Sequence, residues 1–409
     1  MPPDVLYNKI QQMEPMFPTA KSEELNDLAV EVVRQSAALG EKLHPLTRKG
    51  VVELIRTMNS YYSNLIEGHN THPADIERAM ASDYSQEPAK RALQMESVAH
   101  IDVQRLIEQK LVEKPDESIC SRTFLCWIHQ EFYDRLPREF REIRTPDGDI
   151  KTVTPGKLRE DEVEVGRHLP PASGALVLFL QRFKKCYGNT TRGEIRKVIA
   201  AAAAHHRLAW IHPFLDGNGR VTRLFTHAYL VKARIDGHGL WTVSRGLARN
   251  RNDYMGALAG ADERRHGDLD GRGNLSNKGL LDFCTFFLKT ALDQISFMSE
   301  RLELDGILRR LEGYVGRQVS FGQLPLEANY LLREAFLRGE VPRGEVARIT
   351  GKPDRTARRT LKGLLEKKLL TSDSERAPVR LAFPTKVAGY YFPQLYPEGV
   401  EMTETDGHY

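Results

Sequence analysis

The sequence predicts a mainly α-helical protein with one short β-hairpin and a C-terminal unit of mixed structure. Through most of the chain, apolar residues recur at three- and four-residue spacing, the pattern of a helix with one buried face. The segment 145–171 differs, because it is rich in proline, glycine and alternating β-forming residues. From residue 326 onward the patterns follow the order helix, helix, helix, strand, turn, strand, which is typical of a winged helix.

Length and composition indicate a soluble protein of several domains. The chain has 409 residues, of which 41% are hydrophobic and 28% charged, and a domain commonly takes about 150 residues. We predict an N-terminal helical region at 1–120, a central core at 121–325 and a winged-helix-like unit with a tail at 326–409. The longest apolar runs are shorter than the roughly 20 residues that cross a bilayer, and the N-terminus lacks a signal-peptide pattern. We therefore expect a cytoplasmic protein with no membrane partner.

Glycine and proline punctuate the helical patterns and set their predicted limits. The central β-forming segment includes Glu162–Val165, where polar and apolar residues alternate as in a half-exposed strand. In chain order, the predicted helices are 22–40, 47–67, 73–81, 89–111, 121–143, 172–187, 193–210, 220–234, 279–301, 327–338, 343–349 and 354–368, and the predicted C-terminal strands are 369–370 and 379–383.

Charge and cysteine content restrict the possible partners only weakly. The net charge is +4, from 59 basic and 55 acidic residues, and the four cysteines match no C-x2-C zinc pattern. One local region is more basic, because Arg355, Arg358, Arg359 and Lys362 share one face of the predicted helix 354–368. This face could contact DNA, dock a protein or simply be solvated, and the sequence leaves all three open.

The segment from His212 to Arg223 carries the clearest chemical pattern. Gly217 and Gly219 flank Asn218 directly before a predicted helix, so that backbone N–H groups can converge on one point beside the positive end of the helix. Such a nest binds anions, phosphate above all. Arg220 and Arg223 lie three residues apart on one helix face, and each can bind phosphate oxygens with two N–H groups.

Two further side chains of the same segment complete a set suited to phosphoryl or nucleotidyl transfer. Asp216 adjoins the nest, and a carboxylate beside bound phosphates commonly ligates Mg²⁺. His212, four residues earlier, can accept a proton near neutral pH. The segment is neither a Walker A loop nor a dinucleotide-binding G-x-G-x-x-G turn, because the lysine and the third glycine are missing.

This segment resembles the signature of the Fic family, H-x-F-x-[DE]-G-N-G-R-x-x-R, at every fixed position. The similarity extends to the preceding alanine-rich helix at 200–205, to a "flap" hairpin at 160–171 and to the segment 251–258. In all it covers about residues 50 to 300. It implies a Fic-fold helical core with a short β-hairpin flap, which uses ATP and Mg²⁺ to transfer AMP to a Tyr, Thr or Ser hydroxyl of a target protein, or to the protein itself.

The resemblance also implies a role for each matching residue. His212 would deprotonate the target hydroxyl, and Asp216 would hold Mg²⁺. The flap would align the target segment by strand addition, and family members often form homodimers. The remaining implied contacts are phosphate binding by Gly217, Asn218, Gly219 and Arg220, γ-phosphate binding by Arg223, an adenine contact or a core position for Tyr254, and target docking by Glu162, Val163, Glu164 and Val165.

A second match concerns regulation. The run from Ser63 to Gly68 fits the family's inhibitory motif, [ST]-x-x-x-E-[GN], at the end of a helix that precedes the core. The resemblance implies that Glu67 pairs with Arg223 and so occupies the arginine that the γ-phosphate needs. The enzyme would then be inactive by default.

Two alternatives remain open on the sequence alone. A Fic enzyme of this kind could transfer another nucleotide or a phosphate, or remove AMP, because the motif defines the phosphate site better than the base or the direction of reaction. Alternatively, the protein could be a DNA-binding transcriptional regulator whose Fic core only senses a nucleotide.

Overall fold

The computed structural model describes residues 7–19, 22–144, 148–166, 168–188 and 193–396. Within these ranges the protein is mainly helical, and its strands form two small two-stranded sheets. The helices are α1 (Glu23–Gly40), α2 (Pro45–Ile66), α3 (Pro73–Met80), α4 (Pro88–Glu113), α5 (Arg122–Asp134), α6 (Leu176–Tyr187), α7 (Glu194–Ile211), α8 (Asn218–Ala233), α9 (Ser244–Arg249), α10 (Arg251–Asp262), α11 (Asn277–Arg301), α12 (Leu304–Ser320), α13 (Ala328–Arg338), α14 (Val346–Thr350), α15 (Asp354–Glu366) and α16 (Thr385–Tyr391).

Helix α7 lies at the centre of the core. It packs against α1, α6, α8 and α11, and its alanine run at 200–204 is fully buried. Small side chains let neighbouring helices approach closely and leave little freedom to the loop that joins α7 to α8. The motif loop is therefore held between two buried helices.

Local sequence signals explain several helix starts. The side chains of Ser22, Ser121 and Ser276 each accept a hydrogen bond from a backbone N–H of the first turn of α1, α5 and α11, respectively. Proline stands in the first turn of α2, α3 and α4, where its missing N–H is not needed. The helices predicted across the first 120 residues are confirmed to within two residues at either end.

The central β-structure differs from the prediction. Helix α5 ends at Asp134 rather than continuing to residue 143, and strand β1 (Glu142–Arg144) pairs antiparallel with β2 (Ile150–Thr152). The strand predicted at Glu162–Val165 was wrong: within that run only Val165 forms a bridge, with His168. The Glu162 carboxylate instead accepts hydrogen bonds from the Ser173 backbone and hydroxyl, which ties the segment to the start of α6 and not to a partner strand.

The C-terminal unit has the predicted order of elements. Helices α13, α14 and α15 precede β3 (Leu370–Thr371) and β4 (Arg380–Leu381), which pair antiparallel. The winged-helix assignment and the domain boundaries stay predictions. Helices α9, α10, α12 and α16 were not predicted. The C-terminal unit packs directly on α2, where the Thr47 hydroxyl donates to the Phe336 carbonyl at 2.7 Å. None of the helices in the described ranges has the length and hydropathy needed to cross a bilayer.

Candidate active site

His212 ends α7 and begins the motif loop. It adopts a left-handed conformation (φ 48°, ψ 60°) that turns the chain away from the helix axis. Arg159 fixes this turn, because its side-chain Nε donates to the His212 carbonyl at 2.8 Å and its backbone N–H donates to the Pro213 carbonyl at 3.0 Å. The loop before α6 thus holds the histidine backbone in place.

The His212 ring is neutral at physiological pH. Burial, together with the positive charges of His168 and Arg159, lowers its pKa to about 4. The Ala209 backbone partly offsets this effect, and a neutral imidazole has one ring nitrogen with a lone pair that can accept a proton.

The loop between His212 and α8 is braced by the Asn218 side chain. Its Oδ1 accepts from the Phe214 N–H at 2.9 Å, and its Nδ2 donates to the Phe214 carbonyl at 2.8 Å. Both polar ends of this side chain are therefore occupied, and only the backbone N–H of Asn218 remains to face an anion. Gly217 has φ 79°, and a Cβ there would lie 2.8 Å from the Tyr133 ring, so both its conformation and its surroundings require glycine.

Arg220 lies in the first turn of α8 within a chain of charged and polar groups. It forms an ion pair with Glu96 of α4, and both side chains are only 8% exposed. Its Nη2 also lies 3.1 Å from Oδ2 of Asp216, which accepts the Tyr133 hydroxyl at 2.6 Å. The second oxygen of Glu96 lies 2.6 Å from His69.

Arg223 is held by the end of α2. Its Nε donates to the Ser63 hydroxyl at 2.8 Å and its Nη2 to the Ser63 carbonyl at 2.9 Å. The same Nη2 lies 2.5 Å from Oε1 of Glu67. The arginine side chain is 2% exposed, whereas a third of the Glu67 side chain is exposed. The predicted residues Ser63, Glu67 and Arg223 are therefore in direct contact.

The Glu67 carboxylate also lies at the start of α8. Burial opposes its ionisation, but the charges of Arg223 and Arg220 outweigh that effect and hold the pKa of Glu67 below its usual value. A Cβ added to Gly219 would overlap Oε1 of Glu67. The carboxylate thus lies against the backbone of the predicted anion nest, where the helix dipole also favours negative charge.

Tyr254 borders this cluster of charges, because Arg223 and Glu67 both act on its hydroxyl. Tyr254 is buried, and its hydroxyl lies 2.8 Å from Nε2 of His205, so its side chain forms part of the core. The predicted flap residues lie mostly at the surface: Glu162, Glu164 and Val165 are exposed, and Val163 is half-buried. The adenine contact and target docking stay predictions.

Sequence reasoning missed four side chains of the site: Glu96, Tyr133, Arg159 and His69. No local pattern marks them, because each contacts a partner far away in sequence, such as Arg220 for Glu96 and Asp216 for Tyr133. The described residues contain no group of three or more His, Cys, Asp or Glu side chains that could hold a metal ion by themselves.

Comparison with known proteins identifies the family of this segment. Residues 119–230 match the model of the Fic/DOC family. Over these residues the chain is similar to the Fic/DOC family. The "Protein adenylyltransferase Fic" of Drosophila persimilis is 29% identical over 137 residues, and that of Drosophila melanogaster is 28% identical over the same length. The match covers 32% of this chain and only 27% and 28% of those two proteins, so it spans little more than a quarter of the relatives' length.

Two solved structures share the fold. Fic-1 (residues 134–508) from C. elegans superposes with a TM-score of 0.53 at 15% identity, covering 69% of this chain and 73% of that one. A Fic family protein from Desulfovibrio desulfuricans G20 superposes with a TM-score of 0.50 at 15% identity, covering 89% of this chain and 98% of that one. At such identities the likeness concerns the fold alone.

Proposed function

We propose that this protein is an adenylyltransferase that transfers AMP from Mg-ATP to a Tyr, Thr or Ser hydroxyl of a protein. The observation that carries the proposal is the juxtaposition of a neutral imidazole, His212, with a backbone nest and two arginines at the start of α8. The names of the relatives that match the Fic domain support it.

The reaction needs a proton acceptor and a site for three phosphates. The target hydroxyl oxygen bonds to the α-phosphorus of ATP while its proton passes to His212. The bond from the α-phosphorus to the bridging oxygen breaks, and pyrophosphate leaves. The first-turn N–H groups of α8, with Arg220 and Arg223, stabilise the negative charge on the phosphates. A positioned base contributes about 10²- to 10⁴-fold to such a rate.

Asp216 fits a magnesium ion held jointly with ATP. Its Oδ2 is bound by Tyr133 and Arg220, its side chain is 41% exposed, and Mg²⁺ typically uses one or two carboxylates plus phosphate oxygens. When bound, Mg²⁺ would neutralise phosphate charge.

We further propose that Glu67 keeps the enzyme inactive. Its carboxylate pairs with Arg223 and lies against Gly219, so a γ-phosphate would have to displace it. A triphosphate that binds without this displacement would hold its α-phosphorus out of line, and a misplacement of about 1 Å can cost about 100-fold in rate.

Intact-mass spectrometry after incubation with ATP, or with other nucleoside triphosphates, tests both proposals. We expect Glu67→Gly to gain AMP through auto-modification, wild type to gain little, and Glu67→Gly/His212→Ala to gain none. Glu41→Gly is the matched control, because Glu41 occupies the same position after α1 that Glu67 occupies after α2. A different mass adduct would identify another donor. No adduct on any variant or added protein would contradict the transferase proposal.

A second candidate function, DNA binding by α15, rests on its charge. Residues 352–368 contain seven basic and two acidic residues, an excess larger than the net +4 of the whole chain. Arg355, Arg358 and Arg359 are exposed, and none of them has an ion pair within the described residues. An exposed basic helix of this kind is suited to the phosphates of a DNA groove.

The test is fluorescence anisotropy with a labelled DNA duplex at several salt concentrations. Changing the three arginines to glutamine should weaken binding and reduce the slope of log K against log salt by about 2.7, or 0.9 per lost phosphate contact. Changing Lys184, Lys185 and Arg196 to glutamine removes the same charge from another exposed surface. Equal effects of the two triple variants, or no binding by wild type, would contradict the DNA proposal.

A further inference from the structure

The C-terminal unit holds the inhibitory helix α2 at both ends. Near its start, the Thr47 hydroxyl donates to the Phe336 carbonyl of α13, and a Cβ at Gly50 would lie 3.0 Å from the Phe383 ring. Near its end, the Tyr62 hydroxyl donates to the Leu395 carbonyl at 2.9 Å in a buried contact. Between these contacts the helix has little freedom to rotate or slide.

Leu395, which accepts the Tyr62 hydroxyl, belongs to a segment that we call the C-terminal strap, residues 385–396. The strap is formed by α16 and the turn that follows it. The Thr385 N–H donates to the Glu77 carboxylate of α3 at 2.8 Å. Arg310 of α12 and Arg245 of α9 donate to the Tyr391 and Gln394 carbonyls, each at 2.8 Å. The strap is thus fixed to several helices before it reaches Tyr62.

Tyr62 directly precedes the residues that grip Arg223. Ser63 accepts two hydrogen bonds from Arg223, and Glu67 lies one helical turn further on. Tyr62 and Ser63 lie in α2 and Glu67 is the residue that caps its end, so a shift or rotation of this helix end would displace all three together. From the opposite side, Arg251 donates to the Ile66 carbonyl at 2.9 Å.

We propose that the C-terminal strap positions the inhibitory motif, and that Tyr62 is the residue through which it acts. With the hydroxyl bound to Leu395, the end of α2 stays in the register in which Glu67 reaches Arg223. When the strap moves, α2 can shift and Glu67 can leave Arg223. The C-terminal unit is then the place where a regulatory signal reaches the active site. This inference rests on the proposed inhibition by Glu67.

The test compares two tyrosines that differ by one residue. Tyr62→Phe removes the hydroxyl that donates to Leu395 of the strap and that also interacts with Arg245, the residue that holds the Gln394 carbonyl. Tyr61→Phe removes the hydroxyl of an equally buried neighbour in the same helix. We expect Tyr62→Phe to raise the rate of AMP transfer about fivefold or more, because a buried carbonyl is left without its donor. We expect Tyr61→Phe to leave the rate unchanged. A wild-type rate for Tyr62→Phe would overturn the proposal.

Combination with Glu67→Gly separates positioning from a general loss of stability. If Tyr62 acts through Glu67, the Tyr62→Phe/Glu67→Gly variant should be as active as Glu67→Gly alone. The proposal is wrong if Tyr62→Phe changes the rate of AMP transfer by the same factor in the wild-type protein and in Glu67→Gly.

Hydrogen exchange gives a readout that does not depend on AMP transfer. Tyr62→Phe should accelerate exchange of the backbone amides at the end of α2, over residues 63–68, and Tyr61→Phe should not. Unchanged exchange would contradict the role of the strap. If the strap result holds but no variant transfers AMP, the proposed reaction fails while the coupling of the strap to α2 stands.

Discussion

Glu96 should contribute strongly to the stability of the protein, although no sequence motif marks it. Its partner Arg220 and Glu96 itself are each 8% exposed. Removing one partner of a buried ion pair typically costs 3–5 kcal/mol, because it leaves a buried charge uncompensated. In Glu96→Gln the amide oxygen can still accept from Arg220, and Asp216 remains as a second partner. We therefore expect the lower end of the range, about 3 kcal/mol.

Glu53→Gln is the matched control. Glu53 also pairs with a buried arginine, Arg56, but its own side chain is 50% exposed, and Arg56 keeps a second partner in Glu108 at 2.6 Å. An exposed carboxylate of this kind contributes about 0–1 kcal/mol. The measurement is the free energy of unfolding from a urea titration followed by tryptophan fluorescence. Equal losses for the two variants would refute the argument that burial of Glu96 makes its charge important.

Three further predictions follow from the site. Tyr133→Phe removes the donor to Asp216, so the Mg²⁺ concentration for half-maximal AMP transfer should rise severalfold in the Glu67→Gly background; an unchanged Mg²⁺ titration would exclude this role. The transfer rate of Glu67→Gly should show no inflection near pH 6.5 and should fall only as pH approaches 4, where His212 gains a proton; a pH–rate profile checks this. Stability should fall as pH drops below 6.5, because the unfolded chain protonates histidines that stay neutral in the fold. Urea titrations near pH 5 should detect uptake of at least about four protons on unfolding, one for each histidine with a pKa of about 3 or 4: His100, His129, His205 and His212.

The sequence predicted many of the helices because they carry a periodic apolar face, to which α1 to α5 and α11 add a start signal. Helix α1, for example, follows a capping serine, Ser22, and has a regular buried face. The prediction failed where tertiary contacts outweigh local pattern. The run Glu162–Val165 alternates like a strand. The Glu162 carboxylate, however, accepts a hydrogen bond from the Ser173 backbone N–H, and this contact holds the segment against the start of α6 and not beside a partner strand.

For the site, the sequence located the residues that are contiguous and missed the residues that support them. The anion nest, His212 and the two arginines fall within one short segment, and their spacing alone indicates what they can bind. Arg159, Tyr133 and Glu96 act through contacts with residues 53, 83 and 124 positions away, respectively. Such contacts depend on how the helices pack, which a single sequence does not reveal.

The two motif arginines explain why the N-terminal helices belong to the site. Arg220 and Arg223 are both buried beside the positive end of α8, so each needs a negative partner even without a nucleotide. Glu96 of α4 supplies one and Glu67, directly after α2, supplies the other. Only Glu67 is partly exposed and lies against the nest, so we expect phosphate to replace Glu67 while Glu96 stays in place. The domain boundary predicted at residue 120 would place Glu67 and Glu96 in a different domain from the two arginines that they neutralise.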